Sequence, residues 1–138
     1  MVRPIVLAGL LVAASAFQTA PAPPTYDAKF SVQTADGPQD YTGTTTFVVD
    51  AKGVVTGKMA LNNPRVVTAD IAGAIKDGVW TFEYQYAIPD QGCTGVVKGT
   101  AKVPADRKLI SGSVAIGGGC AEQPLTATFS FTRQEGKK

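Results

Sequence analysis

The chain has 138 residues, of which 44% are hydrophobic, and its 13 basic and 11 acidic side chains give a formal net charge of +2. A nearly neutral chain whose only basic cluster is the terminal Lys137-Lys138 is a poor candidate for binding nucleic acid or an acidic membrane surface. Histidine is absent, which removes the commonest general base, the usual catalytic triads and most zinc sites. We therefore expect no enzyme activity, no metal and no cofactor.

The N-terminal segment has the features of a signal peptide. Arg3 precedes an apolar run from Ile5 to Ala14, and Ala14-Ser15-Ala16 has the small-x-small pattern of a signal-peptidase site. The run is too short for a membrane-spanning helix, which needs about 20 residues; a buried N-terminal helix is the alternative. We predict that residues 1–16 are a bacterial-type signal peptide. The mature chain would then be exported, to the periplasm or beyond, and would have no membrane span.

A short linker is predicted to separate the signal peptide from a single domain. Residues 17–25, FQTAPAPPT, are rich in proline and alanine, a composition typical of an extended, solvated spacer. The chain that follows is long enough for one domain. We place that domain at residues 26–133 and expect residues 134–138 to form a flexible C-terminal tail.

From residue 26 onward the sequence is typical of β-strands. Apolar and polar residues alternate with period two, and no stretch has the i, i+3, i+4 spacing of a helix. Turns rich in glycine, proline and asparagine separate the runs. The predicted strands cover residues 26–33, 40–49, 54–61, 66–76, 79–88, 95–103, 109–116 and 125–133. One apolar and one polar face on each strand predicts an all-β fold, an antiparallel eight-stranded up-and-down (meander) β-barrel, with a β-sandwich as the alternative.

A weak internal repeat places glycines in the middle of five of these strands. They fall on the predicted inward faces at Gly43, Gly57, Gly73, Gly99 and Gly112. Inward glycines let a sheet coil and leave room for large side chains opposite them. The repeat skips the fifth strand, which carries aromatic residues instead.

That fifth strand, VWTFEYQYAI, carries an aromatic row on one face: Trp80, Phe82, Tyr84 and Tyr86. The opposite face holds threonine, glutamate and glutamine, so we expect the row to point into the barrel. The simplest interpretation is a core that fills the space left by the glycines. The alternative is a ligand cavity, and Trp80, Tyr84 and Tyr86 are the candidate ligand-facing residues. A buried tyrosine needs a partner for its hydroxyl, which favours Tyr84 and Tyr86 for that role.

The two cysteines test the topology. In a meander, alternate connections lie at the same end of the barrel, and Cys93 and Cys120 both fall in odd-to-even connections. An even cysteine count in an exported chain indicates a disulfide bond. A redox-active pair would be closer in sequence, as in Cys-x-x-Cys, so we predict a structural bridge.

The odd-to-even connections also look longer than the others. They read QTADGPQ, NNPR, PDQGCTG and GGGCAEQP, against AKG, DG and PADRK at the opposite end. Loops held by a rigid scaffold commonly carry binding residues, although solvated connections without a role are the alternative. The candidate binding residues at this end are Asp36, Asn62, Asn63, Arg65, Asp90, Gln91, Glu122 and Gln123.

An exported eight-stranded meander of this length resembles the lipocalin and avidin barrels in architecture. Those families carry a Gly-x-Trp tripeptide near the first strand, whereas here Gly78-Val79-Trp80 opens the fifth predicted strand. The resemblance therefore extends to architecture only. An eight-stranded barrel is just wide enough to be filled by side chains or to hold one small ligand.

Three functions are compatible with these features. The first is a non-catalytic binding module for a small apolar or amphipathic molecule or another envelope component. The second is an inhibitor or adaptor for an exported enzyme, which would act through protruding loops. The third is a structural component of the cell envelope, with an exposed edge strand for assembly. We expect a monomer, and an open cavity would favour the first function.

Overall fold

The computed structural model describes residues 23–120 and 122–134. The predicted signal peptide, residues 17–22 of the linker and residues 135–138 of the tail lie outside that part of the chain. The strands are β1 (Thr25–Thr34), β2 (Gly37–Val49), β3 (Val54–Asn63), β4 (Val67–Lys76), β5 (Val79–Ile88), β6 (Cys93–Lys102), β7 (Leu109–Gly118) and β8 (Leu125–Arg133). A 3-10 turn, η1 (Pro89–Gln91), precedes β6. No helix in these ranges is long and apolar enough to cross a membrane.

The strands form a closed, all-antiparallel up-and-down barrel. Each strand pairs with its neighbours in sequence, and β1 pairs with β8 through seven consecutive residue pairs that close the cylinder. The predicted barrel is confirmed, and the alternative β-sandwich is wrong because the sheet has no open edge.

The interior is filled by the predicted inward faces. The alternating burial along each strand puts one residue in two into a single core. The most deeply buried side chains are Trp80, Tyr26, Phe131, Ile110, Val55 and Thr45. Thr45 is the one polar member of the buried set among the described residues, and its hydroxyl donates a hydrogen bond of 2.8 Å to the carbonyl oxygen of Lys58.

The mid-strand glycines face inward, and most of them serve the first of the two predicted purposes, the coiling of the sheet, rather than making room for large side chains. A Cβ atom at Gly99 would run into the carbonyl oxygen of Ser113 on β7, and one at Gly112 would run into that of Thr100 on β6. Neighbouring backbones therefore approach each other at these points, as they must where a small barrel coils tightly. Only Gly73, of the five, makes room for the aromatic row: a Cβ there would lie 2.5 Å from Nε1 of Trp80.

The ladder between β4 and β5 is interrupted in the middle. Pairing runs over Ala69 and Tyr86, stops, and resumes at Ala74 and Thr81 without a change of register. Gly73, with φ of +132°, lies in the interrupted stretch. The Trp80 side chain packs against this stretch, since a Cβ atom at Gly73 would lie 2.5 Å from its Nε1.

The two ends of the barrel differ in how they are filled. At the end that carries the β2–β3, β4–β5 and β6–β7 connections, aromatic rings close the interior. Tyr26 stacks on Phe47 with ring centroids 4.9 Å apart, and Trp80 lies 6.1 Å from Phe131. The Tyr26 hydroxyl donates a hydrogen bond of 2.8 Å to the carbonyl oxygen of Arg107. We call this the closed end.

The predicted difference in loop length between the two ends is wrong. The odd-to-even connections span residues 35–36, 64–66, 89–92 and 119–124, while the others span 50–53, 77–78 and 103–108. The error arose because several strands extend further than their apolar pattern: β2 begins at Gly37 and β3 ends at Asn63. Backbone pairing continues through glycine and asparagine here, since Gly37 pairs with Thr34 and Asn63 pairs with Thr42.

Gln134, the first residue of the predicted C-terminal tail, is hydrogen-bonded to β1. The backbone N–H of Gln134 donates to the carbonyl oxygen of Thr25, and its side-chain amide donates to Asp27 at 2.8 Å. Gln134 therefore continues the contact between β8 and β1 beyond the strand.

Candidate functional site: an apolar cup at the disulfide-bridged end

The barrel interior opens into a cavity at the end opposite the closed one. It has a volume of about 250 Å³ and is reached between the odd-to-even connections. We call it the cup. Its lining is Phe30, Val32, Tyr41, Met59, Leu61, Arg65, Val67, Tyr86, Ile88, Gln91, Val97, Ile116, Cys120 and Leu125.

Buried aliphatic and aromatic side chains form the inner part of the cup. Phe30, Met59, Leu61 and Val97 are each about 95% shielded from solvent, whereas Ile116 and others nearer the mouth are only half-buried. The inner part is therefore apolar and shielded, and the mouth is accessible to solvent. Cavities of this composition are suited to apolar groups.

Two tyrosines introduce hydroxyls into this apolar surface. The Tyr86 ring lies against Gly95, where a Cβ atom would be 2.5 Å from the ring and its hydroxyl oxygen. Burial, and to a smaller extent the neighbouring Tyr41, raises the pKa of Tyr86 above its ordinary value. The Tyr86 hydroxyl therefore keeps its proton at neutral pH.

The mouth of the cup is held by the disulfide bond. Cys93, the first residue of β6, is bonded to Cys120, which follows β7 and lines the cup, with Cα atoms 5.3 Å apart. The predicted bridge is confirmed, and it links the start of β6 to the β7–β8 connection at the same end of the barrel, as the meander requires. The bond indicates an oxidising compartment. Arg65 and Gln91 complete the mouth on the adjacent connections.

The predicted aromatic row points inward, but only one end of it reaches the cup. Trp80 is 2% exposed and belongs to the closed end. Tyr84 is 6% exposed and does not line the cavity, and burial raises its pKa strongly. Tyr86 alone of the three candidate ligand-facing residues forms part of the cavity wall.

Of the eight candidate residues in the connections, Arg65 and Gln91 line the cup. The others lie near this end without reaching its interior: Asp36 in the tight β1–β2 turn, Asn62 and Asn63 at the end of β3, Asp90 in η1, and Glu122 and Gln123 before β8. All six are exposed to solvent.

Sequence reasoning missed most of the lining because it looked for function in the loops. The signal was present in the strands. In a meander, all odd-to-even connections lie at one end of the barrel, so the inward residues nearest to them face the same opening. This rule identifies six of the lining residues: Val32, Tyr41, Leu61, Val67, Ile116 and Leu125. Counting inward positions from each turn would therefore have found the cup.

Other features of the described surface are less suited to binding. A wider hollow of about 580 Å³ lies across the outer faces of neighbouring strands and is more open than the cup. Its wall includes several threonines and the solvent-exposed ion pair between Lys58 and Asp70. Within residues 23–120 and 122–134, no group of three or more potential metal ligands comes together.

Comparison with known proteins agrees with the geometry at the level of fold. No family model and no curated protein sequence matches the chain. A solved structure of a redesigned β-barrel is similar, with a TM-score of 0.62 and 16% sequence identity over 83% of this chain and 92% of that one. At this identity the similarity shows the fold alone. The fold of this chain is a closed antiparallel barrel.

Proposed function

We propose that this protein is an exported, non-catalytic binding module that takes a small apolar or amphipathic molecule into the cup. The observation that carries the proposal is the contrast between the two ends of the barrel. One end is packed with rings, and the other leaves about 250 Å³ of mostly apolar, accessible space. Side chains fill the barrel interior at the closed end but leave it open at the cup. The disulfide bond lies at the mouth of the cup.

The size of the cavity sets the class of ligand. Ligand pockets for larger molecules measure about 300–1,000 Å³, and an engineered apolar cavity of about 150 Å³ binds benzene. The cup therefore suits a molecule larger than one aromatic ring and smaller than a typical drug. A single alkyl chain or a substituted ring meets this limit.

The connections support a binder over an inhibitor. None of the connections between the described strands spans more than six residues, so the barrel presents little that could protrude into an enzyme active site. An envelope component built by edge-to-edge assembly is also disfavoured, since a closed barrel leaves no free edge strand. Predicted export rests on the N-terminal sequence and agrees with the disulfide bond.

Titration with 1-octanol, followed by backbone amide chemical shifts, tests the proposal. Saturable shifts should appear for amides around the cup, such as those of Leu61 and Val97, and not around Trp80 at the closed end. The control is Ile116→Trp, which should fill the mouth and abolish the shifts while circular dichroism shows an intact barrel. Shifts that never saturate, or that spread over the outer surface in both proteins, would refute a cup-based function.

A further inference from the structure

The charge distribution at the cup is uneven. Among the lining residues Arg65 is the single charged side chain. It lies at the mouth, in the connection between β3 and β4, and is exposed to solvent. The two ion pairs found in the described part of the chain, Lys29–Asp40 and Lys58–Asp70, do not involve it.

No acidic residue belongs to the lining to balance this charge. Asp36, Asp90 and Glu122 are at the same end of the barrel but are exposed and do not line the cavity. A ligand that enters the cup therefore passes a guanidinium group and no carboxylate among the lining side chains. Guanidinium presents a planar set of N–H donors that matches carboxylate geometry.

Neutral hydrogen-bond donors lie next to the apolar part of the site. Tyr41 and Tyr86, which carry hydroxyl groups, and Gln91, which carries an amide, belong to the cup lining. Hydroxyl groups donate well to carboxylate oxygens, and bonds to a charged acceptor are stronger than those to a neutral one. The polar groups of the cup thus include one cation and several donors.

We propose that the ligand of the cup is a single-chain or single-ring amphiphile with a carboxylate head. Its apolar part occupies the interior between Phe30, Met59 and Val97, and Arg65 binds the carboxylate at the mouth. The inference rests on the proposed function and adds to it the charge of the ligand and the residue that selects it. It excludes two-chain lipids, whose volume exceeds the cavity.

The proposal is tested with three probes that share one chain: octanoate, 1-octanol and octyltrimethylammonium. Isothermal titration calorimetry at pH 7.5 and low salt should show octanoate binding about tenfold more tightly than octanol, as a charge-assisted hydrogen bond of ~1.5 kcal/mol implies. Octyltrimethylammonium should bind most weakly. Raising the salt concentration should reduce the preference for octanoate, because Arg65 is exposed and its charge is screened.

Variants identify the residue responsible. Arg65→Gln should reduce octanoate affinity to that of octanol and leave octanol unchanged, and Arg65→Lys should retain part of the preference. The matched control is Arg107→Gln, which removes the same charge at the closed end and should change neither affinity. Circular dichroism checks that each variant is folded.

Two results would overturn the proposal, and they are distinguishable. Equal affinities for octanoate and octanol, or a preference that survives Arg65→Gln, would refute carboxylate selection and leave a general apolar binder. Absence of binding by all three probes to the folded protein would refute the proposed function itself, and this inference with it.

Discussion

The indole nitrogen of Trp80 donates a hydrogen bond of 3.3 Å to the carbonyl oxygen of Ala72. Ala72 lies on β4 in the stretch where its ladder with β5 is interrupted, so the Trp80 side chain links the two strands where backbone pairing is absent. The same ring packs 4.4 Å from Phe82, measured between centroids, and edge-on against Phe129. Trp80 therefore packs in the core and also donates a hydrogen bond to a backbone carbonyl oxygen.

Removal of this side chain should be costly. Trp80→Ala is expected to lower the free energy of unfolding by about 3–5 kcal/mol, because it leaves a large cavity at the closed end. Trp80→Phe should cost less, since it keeps a ring and loses chiefly the hydrogen bond to Ala72, worth about 1 kcal/mol. Urea denaturation followed by circular dichroism measures both. A loss below 1 kcal/mol for Trp80→Ala would contradict the assigned packing.

The position of Trp80 can be checked without mutation, because it is the only tryptophan in the chain. At 2% exposure its fluorescence should be nearly insensitive to iodide in the native protein and strongly quenched after unfolding. Equal quenching in the two states would place the ring on the surface.

The glycines at close backbone contacts should tolerate no side chain. Gly99→Ala is expected to destabilise the barrel by about 1–3 kcal/mol, since the new Cβ would collide with the Ser113 carbonyl, which cannot move away easily. Gly117→Ala on β7 is the control, because a Cβ there meets nothing within 4 Å. That change should alter stability by less than ~0.5 kcal/mol. Thermal unfolding of the two variants gives the comparison, and similar losses would contradict the explanation.

The disulfide bond should contribute chiefly through the unfolded chain. Cys93 and Cys120 are separated by 27 residues in sequence, and closing a loop of that length is worth about 3.5 kcal/mol in the chain-entropy model. Replacing both cysteines with alanine should therefore lower stability by about 2–4 kcal/mol while the barrel still forms. Denaturant titration of the double variant checks this. Unchanged stability would show that the cross-link does not constrain the unfolded chain.

Much of the fold could be predicted because local pattern and topology agree. Alternation along β5 set the inward face of Trp80, and the parity of connections placed Cys93 and Cys120 at one end. Strand ends were less predictable: at Gly37 and Asn63 pairing with a neighbour overrides weak strand propensity. The two predicted purposes of glycines such as Gly99 could not be told apart, because close approach between backbones leaves no trace in hydrophobic periodicity.

The site was predictable only in part for a related reason. Arg65 and Gln91 drew attention as polar residues in connections, whereas Leu61 and Ile116 looked like ordinary core. Whether an inward residue is packed or faces a cavity depends on the side chains opposite, which the sequence of one strand does not contain. Tyr86 was identified because its hydroxyl is unusual in an apolar interior.

The buried tyrosines should make stability fall at alkaline pH. Burial raises the pKa of Tyr84 and Tyr86 above the ordinary value of about 10, because the ionised forms would lose hydration. The folded state therefore holds these protons more tightly than the unfolded state. The contribution of these protonated hydroxyls to the free energy of unfolding is fully present below about pH 10. It is lost as the pH rises towards the pKa values of the folded state.

Urea midpoints measured from pH 8 to 11.5 should thus be steady at first and then decline, by about 1.4 kcal/mol per pH unit for each group that ionises only on unfolding. Tyr84→Phe keeps the ring and removes the ionisable group, so its stability should decline less steeply above pH 10. Tyr86→Phe should have a smaller effect, because Tyr86 stands at the cup and is less enclosed. If neither substitution changes how stability falls with pH, the fall is caused by other groups, and the predicted role of Tyr84 is wrong.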